Sequence, residues 1–305
     1  MLNIFKKREL HIDFMRQRAF GFILSALLLI VSVASFCTQG LNYGIDFEGG
    51  ILVEATSETA VDLAQVRKQL SFLHSATIQT SGTEGKTILI QSQVKEGENA
   101  TQIVSKIKET LGAGFTYGQV EVVGPTIGQE LKEKSLLASV LALLAIAVYI
   151  WFRFEWPFAI GCLVALAHDL IIVVGIFSLF QWEFDMVVVA GLLSLAGYDC
   201  NDSIVTYDRV RENLRKFRKL PVDAILNNSI NETLSRTILT SMTTLFVVLV
   251  LLFVGGETLR GFSIAMVLGT IFGTYSSIYI AVPLLRYFDI RSVGDTTDLS
   301  KKAQE

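Results

Sequence analysis

Six long apolar runs constrain this chain more than any other feature. A helix needs about 20 apolar residues to cross roughly 30 Å of hydrocarbon. Residues 19–38, 135–152, 157–180, 186–207, 237–254 and 262–285 meet that length. Hydrocarbon offers no water to backbone polar groups, so each run is expected to be a helix that satisfies its own. Composition agrees: 51% of residues are hydrophobic and 18% charged, where a soluble domain carries about 25% charge. The formal net charge of −3 gives no reason to expect a nucleic-acid partner. Cys37, Cys162 and Cys200 all fall in apolar runs and read as small buried hydrophobes. The three histidines show no metal-ligand spacing, so neither cofactor nor metal is expected. The first apolar run is long for the core of a cleavable signal, and an uncleaved helix is expected.

Basic residues set the expected orientation. Lys6, Lys7, Arg8, Arg16 and Arg18 precede the first run. Arg209, Arg211, Arg215, Lys216, Arg218 and Lys219 follow the fourth, and Arg286, Arg291, Lys301 and Lys302 follow the sixth. Residues 181–185 contain no Lys or Arg. Both termini are therefore expected in the cytoplasm. The expected layout is a basic N-terminus at 1–18, a first helix at 19–38 and a periplasmic domain at 39–130. Helices two to six then occupy 131–285, with a cytoplasmic helical link at 208–236 and a tail at 286–305.

The stretch between the first two runs reads as a compact α+β unit. Residues 50–56 alternate with Ile51, Val53 and Ala55 on one face, the period of a strand. Residues 59–73 place Leu63, Val66, Leu70 and Leu73 on one helical stripe, with a start signal at Thr59 to Asp62. Strands are expected at 76–80 and 86–94, joined by a turn at Gly82 and Gly85. A helix at 98–111 turns Ile103, Ile107 and Leu111 inward, and 119–123 closes as a strand. The order βαββαβ is the ferredoxin-like arrangement. The unit has no nucleophile–base pair or phosphate loop, so it is expected to bind or move something, not to catalyse. In the link, 207–217 continues the fourth helix. Pro221 then opens a short polar helix over 222–235, from the favoured first-turn position.

Charges inside the apolar runs are the candidate functional residues. A charged side chain at the bilayer centre costs roughly 2.5–3.5 kcal/mol. His168 and Asp169 lie in the third run, Asp199 and Asp202 in the fourth, and Arg236 at the start of the fifth. A rise of 1.5 Å per residue puts Asp202 about 24 Å and Arg236 about 27 Å from the same surface, so the two can meet. Asp199 stands one turn from Asp202 on the same face. Two readings stand for Arg236: pairing with Asp202, or snorkelling to the surface. Two stand for His168 and Asp169: a structural interhelical bond, or a relay. Asp199 either belongs to the polar path or faces a water-filled vestibule. Gly269 and Gly273, continued by Ser276 and Ser277, read as a close-packing face.

Several runs together resemble the SecF family of bacterial protein-export membrane proteins, in the resistance-nodulation-division superfamily. They are NYGIDFEGG at 42–50, VGPTIG at 123–128, FRFEW at 152–156, LAHD at 166–169, GYDCND at 197–202, DRVREN at 208–213 and TLSRT at 233–237. The resemblance covers nearly the whole chain. Its motif positions are Gly44, Asp46, Phe47, Gly49, Gly50, Gly197, Asn201, Asp208, Arg209 and Arg211. It implies a six-helix bundle that forms half of a twelve-helix core with a SecD-like subunit. The assembly would sit in the inner membrane beside the SecYEG translocon and its accessory subunits. It would use the proton motive force to assist a translocating preprotein, with no enzyme activity. H+ is the implied coupling ion and Na+ the alternative. Asp202 matches the family's intramembrane coupling aspartate, and Arg236 the arginine that pairs with it. Asp199 departs from the family pattern, which usually has a small or apolar residue there, and Cys200 replaces an aliphatic one. Two other functions are weighed: a small-molecule or ion transporter subunit of the same superfamily, and a passive scaffold stabilising the translocase. The first would need larger periplasmic domains; the second would be indifferent to neutralising Asp202.

Overall fold

The structure is a computed structural model that describes residues 12–73, 76–81, 85–94 and 99–291. The basic side chains expected before residue 12, Gly82 of the expected turn, and Lys301 and Lys302 of the tail lie outside the described residues. Among the described residues, five helices are long and apolar enough to cross a membrane: Phe14–Gln39, Pro125–Arg153, Trp156–Phe180, Val222–Val254 and Glu257–Tyr287. The run expected at 186–207 lies in a sixth long helix, Met186–Lys216, which its acids and basic end make less apolar.

In chain order, α1 is Phe14–Gln39, with the Asp13 side chain accepting from Arg16 N at its start. A two-residue strand β1, Asn42–Tyr43, and one helical turn α2, Ile45–Glu48, follow. The α+β unit comprises β2 (Gly50–Ser57), α3 (Leu63–Gln69), β3 (Thr77–Ser81), β4 (Thr87–Ser92), α4 (Ala100–Leu111) and β5 (Phe115–Val123). The sheet order is β3-β4-β2-β5, and every neighbouring pair is antiparallel.

Alternation on β2 buries Ile51, Val53 and Ala55 completely, against Ile78, Ile88 and Ile90 of the neighbouring strands. Val66 and Leu70 of the α3 segment and Val104 and Ile107 of α4 cover that face. Asp62 and Asn99 cap the two helices by accepting from backbone N–H groups. The helix expected over 59–73 is thus shorter, because Asp62 fixes its start. The strand expected at 119–123 begins earlier, at Phe115, and a register shift between Val53 and Ala55 accommodates the added pairs. The opposite sheet face, with Leu52, Leu89 and Gln91, lies over a cleft of about 400 Å³ that Trp182, Asp185 and Arg260 also line.

Pro125 starts α5 (Pro125–Arg153) ten residues before the expected position, in the first turn where its missing N–H costs nothing. Then come α6 (Trp156–Phe180), β6 (Glu183–Phe184), α7 (Met186–Lys216), α8 (Val222–Val254) and α9 (Arg260–Ser276). β1 and β6 pair in parallel. The separate link helix expected at 222–235 is not found: it and the fifth run are one 33-residue helix, α8. No Gly or Pro interrupts it, so nothing breaks the backbone ladder between them. Pro221 is its N-cap residue rather than its first-turn residue. After α9 the chain makes one π-helical stretch, Ser277–Ala281, before Val282–Leu284 resumes the α form. Pro283 explains the irregularity, since it has no N–H for the carbonyl of Tyr279. α1 packs on α6, while α7 and α8 pack on α9. Cys162 and Cys200 are buried as expected; Cys37 is exposed on the outer side of α1.

Candidate ion-coupling site

The buried acids gather where α6, α7 and α9 meet. Asp202 is buried on α7. Thr237 of α8 donates to its Oδ1 at 2.8 Å, and Ser277, the first residue of the π-helical stretch, donates to Oδ2 at 2.9 Å. A buried carboxyl needs such partners, because leaving it bare costs several kcal/mol. The hydroxyls belong to a ladder of polar residues at helical spacing. Thr206 and Thr233 lie 3.4 Å apart on α7 and α8, while Tyr198 and Thr274 both donate to Ser241.

Asp169 and His168 are buried on α6, with His168 Nδ1 and Asp169 Oδ1 hydrogen-bonded at 2.8 Å. Ser276 donates to Asp169 Oδ2. Asp199 is buried on α7, close enough to Asp169 for the two acids to act on each other. It does not face a vestibule. Room for it comes from Gly273, where a Cβ would sit 2.7 Å from Asp199 Oδ1. Gly269 does the same for Leu195, so the two glycines bring α9 onto α7.

Arg236 makes no ion pair with Asp202, although it lies near enough for its charge to act on the acid. Its residue is exposed on α8, and the Asp202 oxygens are occupied by Thr237 and Ser277 instead. Successive helical residues diverge by about 100°. Thr237 therefore turns inward while Arg236 turns out. Gly197 and Asn201 are likewise exposed, one turn apart on the face of α7 away from the acids.

The DRVREN run serves the far end of α7. Asp208 accepts from Arg153 at 3.0 Å, and Arg211 donates to Glu155 at 2.8 Å. Arg209 bonds Glu212 and, on α8, Glu232. Tyr207 is fully buried and donates at 3.0 Å to the carbonyl of Ala281, the last residue of the π-helical stretch.

The GIDFEGG run serves the opposite end. Asp46 Oδ2 accepts from Met186 N at 3.1 Å, and Asp185 Oδ1 accepts from Val188 N at 2.7 Å, so two acids cap α7. Phe47 is buried among Phe177, Phe184 and Val188. Gly49 has φ +76°, and a Cβ there would lie 2.8 Å from Pro125 Cα. Gly50 has φ +152°, and a Cβ there would meet Ser92 O at 2.7 Å. Gly44 lies close against Glu183. Only glycine lets β2 and α5 approach this closely. Glu183 and Asp185 have carboxyl pKa values raised chiefly by burial, with further repulsion from neighbouring acids.

Sequence reading located the acids but not the role of their partners: Ser276 and Ser277 read only as a packing face, and Thr237 only as the end of the TLSRT run. Their signal was hydroxyl residues at i, i+4 spacing inside apolar runs, a pattern of interhelical hydrogen bonding.

Long apolar helices around sealed-in carboxyls, joined to a small α+β unit, define a polytopic membrane protein with a buried polar core. Residues 103–291 match the family model for protein export membrane protein SecD/SecF, C-terminal, and residues 34–61 match the SecD/SecF GG motif. The chain belongs to the SecD/SecF family. The protein translocase subunit SecF of Desulfurispirillum indicum is 43% identical, with 94% of each chain covered. The subunit of that name from Pseudomonas aeruginosa is 41% identical, with 92% of each covered. The crystal structure of Thermus thermophilus SecDF, a translocon-associated membrane protein, gives a TM-score of 0.81 at 35% identity, covering 91% of this chain. SecDF in a super-membrane-facing form gives 0.67 at 33% identity, covering 97%. The chain spans 38% and 40% of those two chains.

Proposed function

We propose that this chain is the SecF half of a SecD–SecF assembly that assists SecYEG in moving preproteins across the bacterial inner membrane. Ion flow through the membrane part drives the work, with H+ as the coupling ion and Na+ as the alternative. In this reading α7 is the fourth of six membrane helices, both termini are cytoplasmic and the chain is not an enzyme. The α+β unit is periplasmic and ferredoxin-like, a reading supported by its strand order, in which β4 lies between β2 and β3. The identity to SecF subunits over nearly the full chain supports the assignment.

The observation that carries the coupling role is Asp202. It is an acid buried in an apolar helix layer and held by two neutral hydroxyls from two other helices. Ionised, it accepts both hydrogen bonds with the added strength of its charge; protonated, it loses that charge and one oxygen becomes a donor, so the hydroxyl facing it must turn from donor to acceptor. A hydrogen bond to a charged group is worth about 1.5–3 kcal/mol. One proton crossing 100 mV supplies about 2.3 kcal/mol. The two scales match, so one protonation event biases the packing of α8 and the π-helical stretch against α7. Arg236 adjoins Thr237 in sequence and its charge already acts on Asp202, so its long side chain is the partner that ionised Asp202 gains when the Thr237 hydroxyl withdraws.

The test is Asp202→Asn in inverted inner-membrane vesicles, comparing preprotein translocation with and without an imposed proton gradient. Gradient-dependent stimulation is expected to disappear while the protein stays in the membrane. Undiminished stimulation would overturn the coupling role and favour a passive scaffold.

A further inference from the structure

Beside Asp202 stands a second pair of buried acids that its own hydrogen bonds do not use. Asp169 of α6 and Asp199 of α7 are 0% and 2% exposed, and they lie close enough for the charge of one to act on the other. The positions of both against α9 support the same proximity. Asp199 Oδ1 lies over Gly273, and Ser276, three residues on, donates to Asp169. Two ionised carboxylates offer each other only acceptors, so their close approach in a buried site calls for a proton between them. Without one, two anions would repel in a medium that screens them poorly.

The surroundings supply no countercharge. From α6, His168 bonds Asp169 through Nδ1, while its Nε2 is buried without a partner among the described residues. Cys162 of α6 and Cys200 of α7 are buried thiols nearby. From α7, Asp202 lies one turn along with both oxygens engaged elsewhere, and the Tyr207 hydroxyl is donated to Ala281. From α9, Tyr275 lies tilted beside the His168 ring and donates its hydroxyl to the Gly21 carbonyl. Among the described residues, no Lys or Arg acts on either acid. Asp199 Oδ1 is itself buried and unpartnered, which leaves one acceptor position open in the pair.

We propose that Asp169 and Asp199 hold one proton between them, forming a second proton-binding site one helical turn from Asp202. As a step in coupling, this deepens and rests on the ion-driven reading above; as a proton site, it stands on the pair's own geometry.

The test uses the full chain in lipid nanodiscs, with Asp202→Asn in every sample so that this acid is silent. It reads the infrared carbonyl band of protonated carboxyl groups at neutral pH, with D2O exchange to identify it. A band is expected in Asp202→Asn. The intensity of one carboxyl should be lost when Asp199→Asn or Asp169→Asn is added. Asp199→Ser serves as a second variant in case the asparagine form does not fold. Equal intensity with and without Asp199 would overturn the proposal. So would loss of the band on adding sodium ions at constant pH, which would put a metal cation where the proton is assigned. The band is measured without Asp202, so its absence would leave the secretion result on Asp202 standing, and the reverse holds too.

Discussion

Gly49→Ala should loosen the joint between the α+β unit and α5. The glycine has φ +76° and ψ 156°, a region that residues with a Cβ rarely enter. Occupying such a region costs on the order of 1–3 kcal/mol. The added methyl would also meet Pro125 Cα at 2.8 Å and Pro125 N at 2.9 Å. Those are backbone atoms in the first turn of a long helix, and a rotamer change cannot relieve the contact. A local loss of about 1–3 kcal/mol raises the population of the opened joint about 5- to 150-fold. Amide hydrogen exchange read by mass spectrometry should therefore speed up by that factor in β2 and the first turns of α5. Exchange in the middle of α6 should stay unchanged. Gly124→Ala is the control, because Gly124 has an ordinary φ of −70° and nothing within 4 Å of its Cβ position. Equal protection in Gly49→Ala and Gly124→Ala would refute the close-approach argument.

Thr237→Val removes the donor to Asp202 Oδ1 with little change of shape, and should lower thermal stability by about 1.5–3 kcal/mol if the acid is ionised. In a double-mutant cycle with Asp202→Asn the two effects should be less than additive; strict additivity would mean that the bond contributes nothing. Glu183 and Asp185 bind protons more tightly in the folded state, through burial first and acidic neighbours second. Between the ordinary carboxylate range and their raised values the folded state holds more protons, so stability falls as pH rises through that window. Glu183→Gln should accordingly raise the melting temperature at neutral pH and flatten its decline from mildly acidic pH; an unchanged pH profile would count against it.

Much of the fold was legible because periodicity carries it. Ile51, Val53 and Ala55 alternate, Val66 and Leu70 repeat at helical spacing, and these residues are buried together. Helix ends were harder to read. α8 runs through what reads as a polar link, since polarity alone does not end a helix that lacks Gly and Pro. The acids were legible because a charge in an apolar run has few explanations. Their partners were not, because Thr and Ser look unremarkable in a membrane helix until another helix faces them. Sequence depth put Arg236 and Asp202 at one level. Depth alone does not fix which way each residue points, and the helix turns Thr237 toward the acid. The role of Asp46 lay beyond sequence reading altogether, because its partner, Met186 N, is 140 positions away.

That distant cap has a mechanical consequence. α7 has 31 residues, so it is a rod roughly 45 Å long. Asp46, from the segment leading into the sheet, grips one tip. Arg153, the last residue of α5, and Glu155, the N-cap of α6, grip it near the other. A stiff beam clamped at both ends cannot slide; it can only roll about its axis or pivot. Asp199 and Asp202 lie near the middle of its length, where a pivot shifts least and a roll changes which neighbours a side chain meets. Small rotations of α7 would thus swap hydrogen-bond partners at the acids while carrying torque to the segment that leads into the sheet.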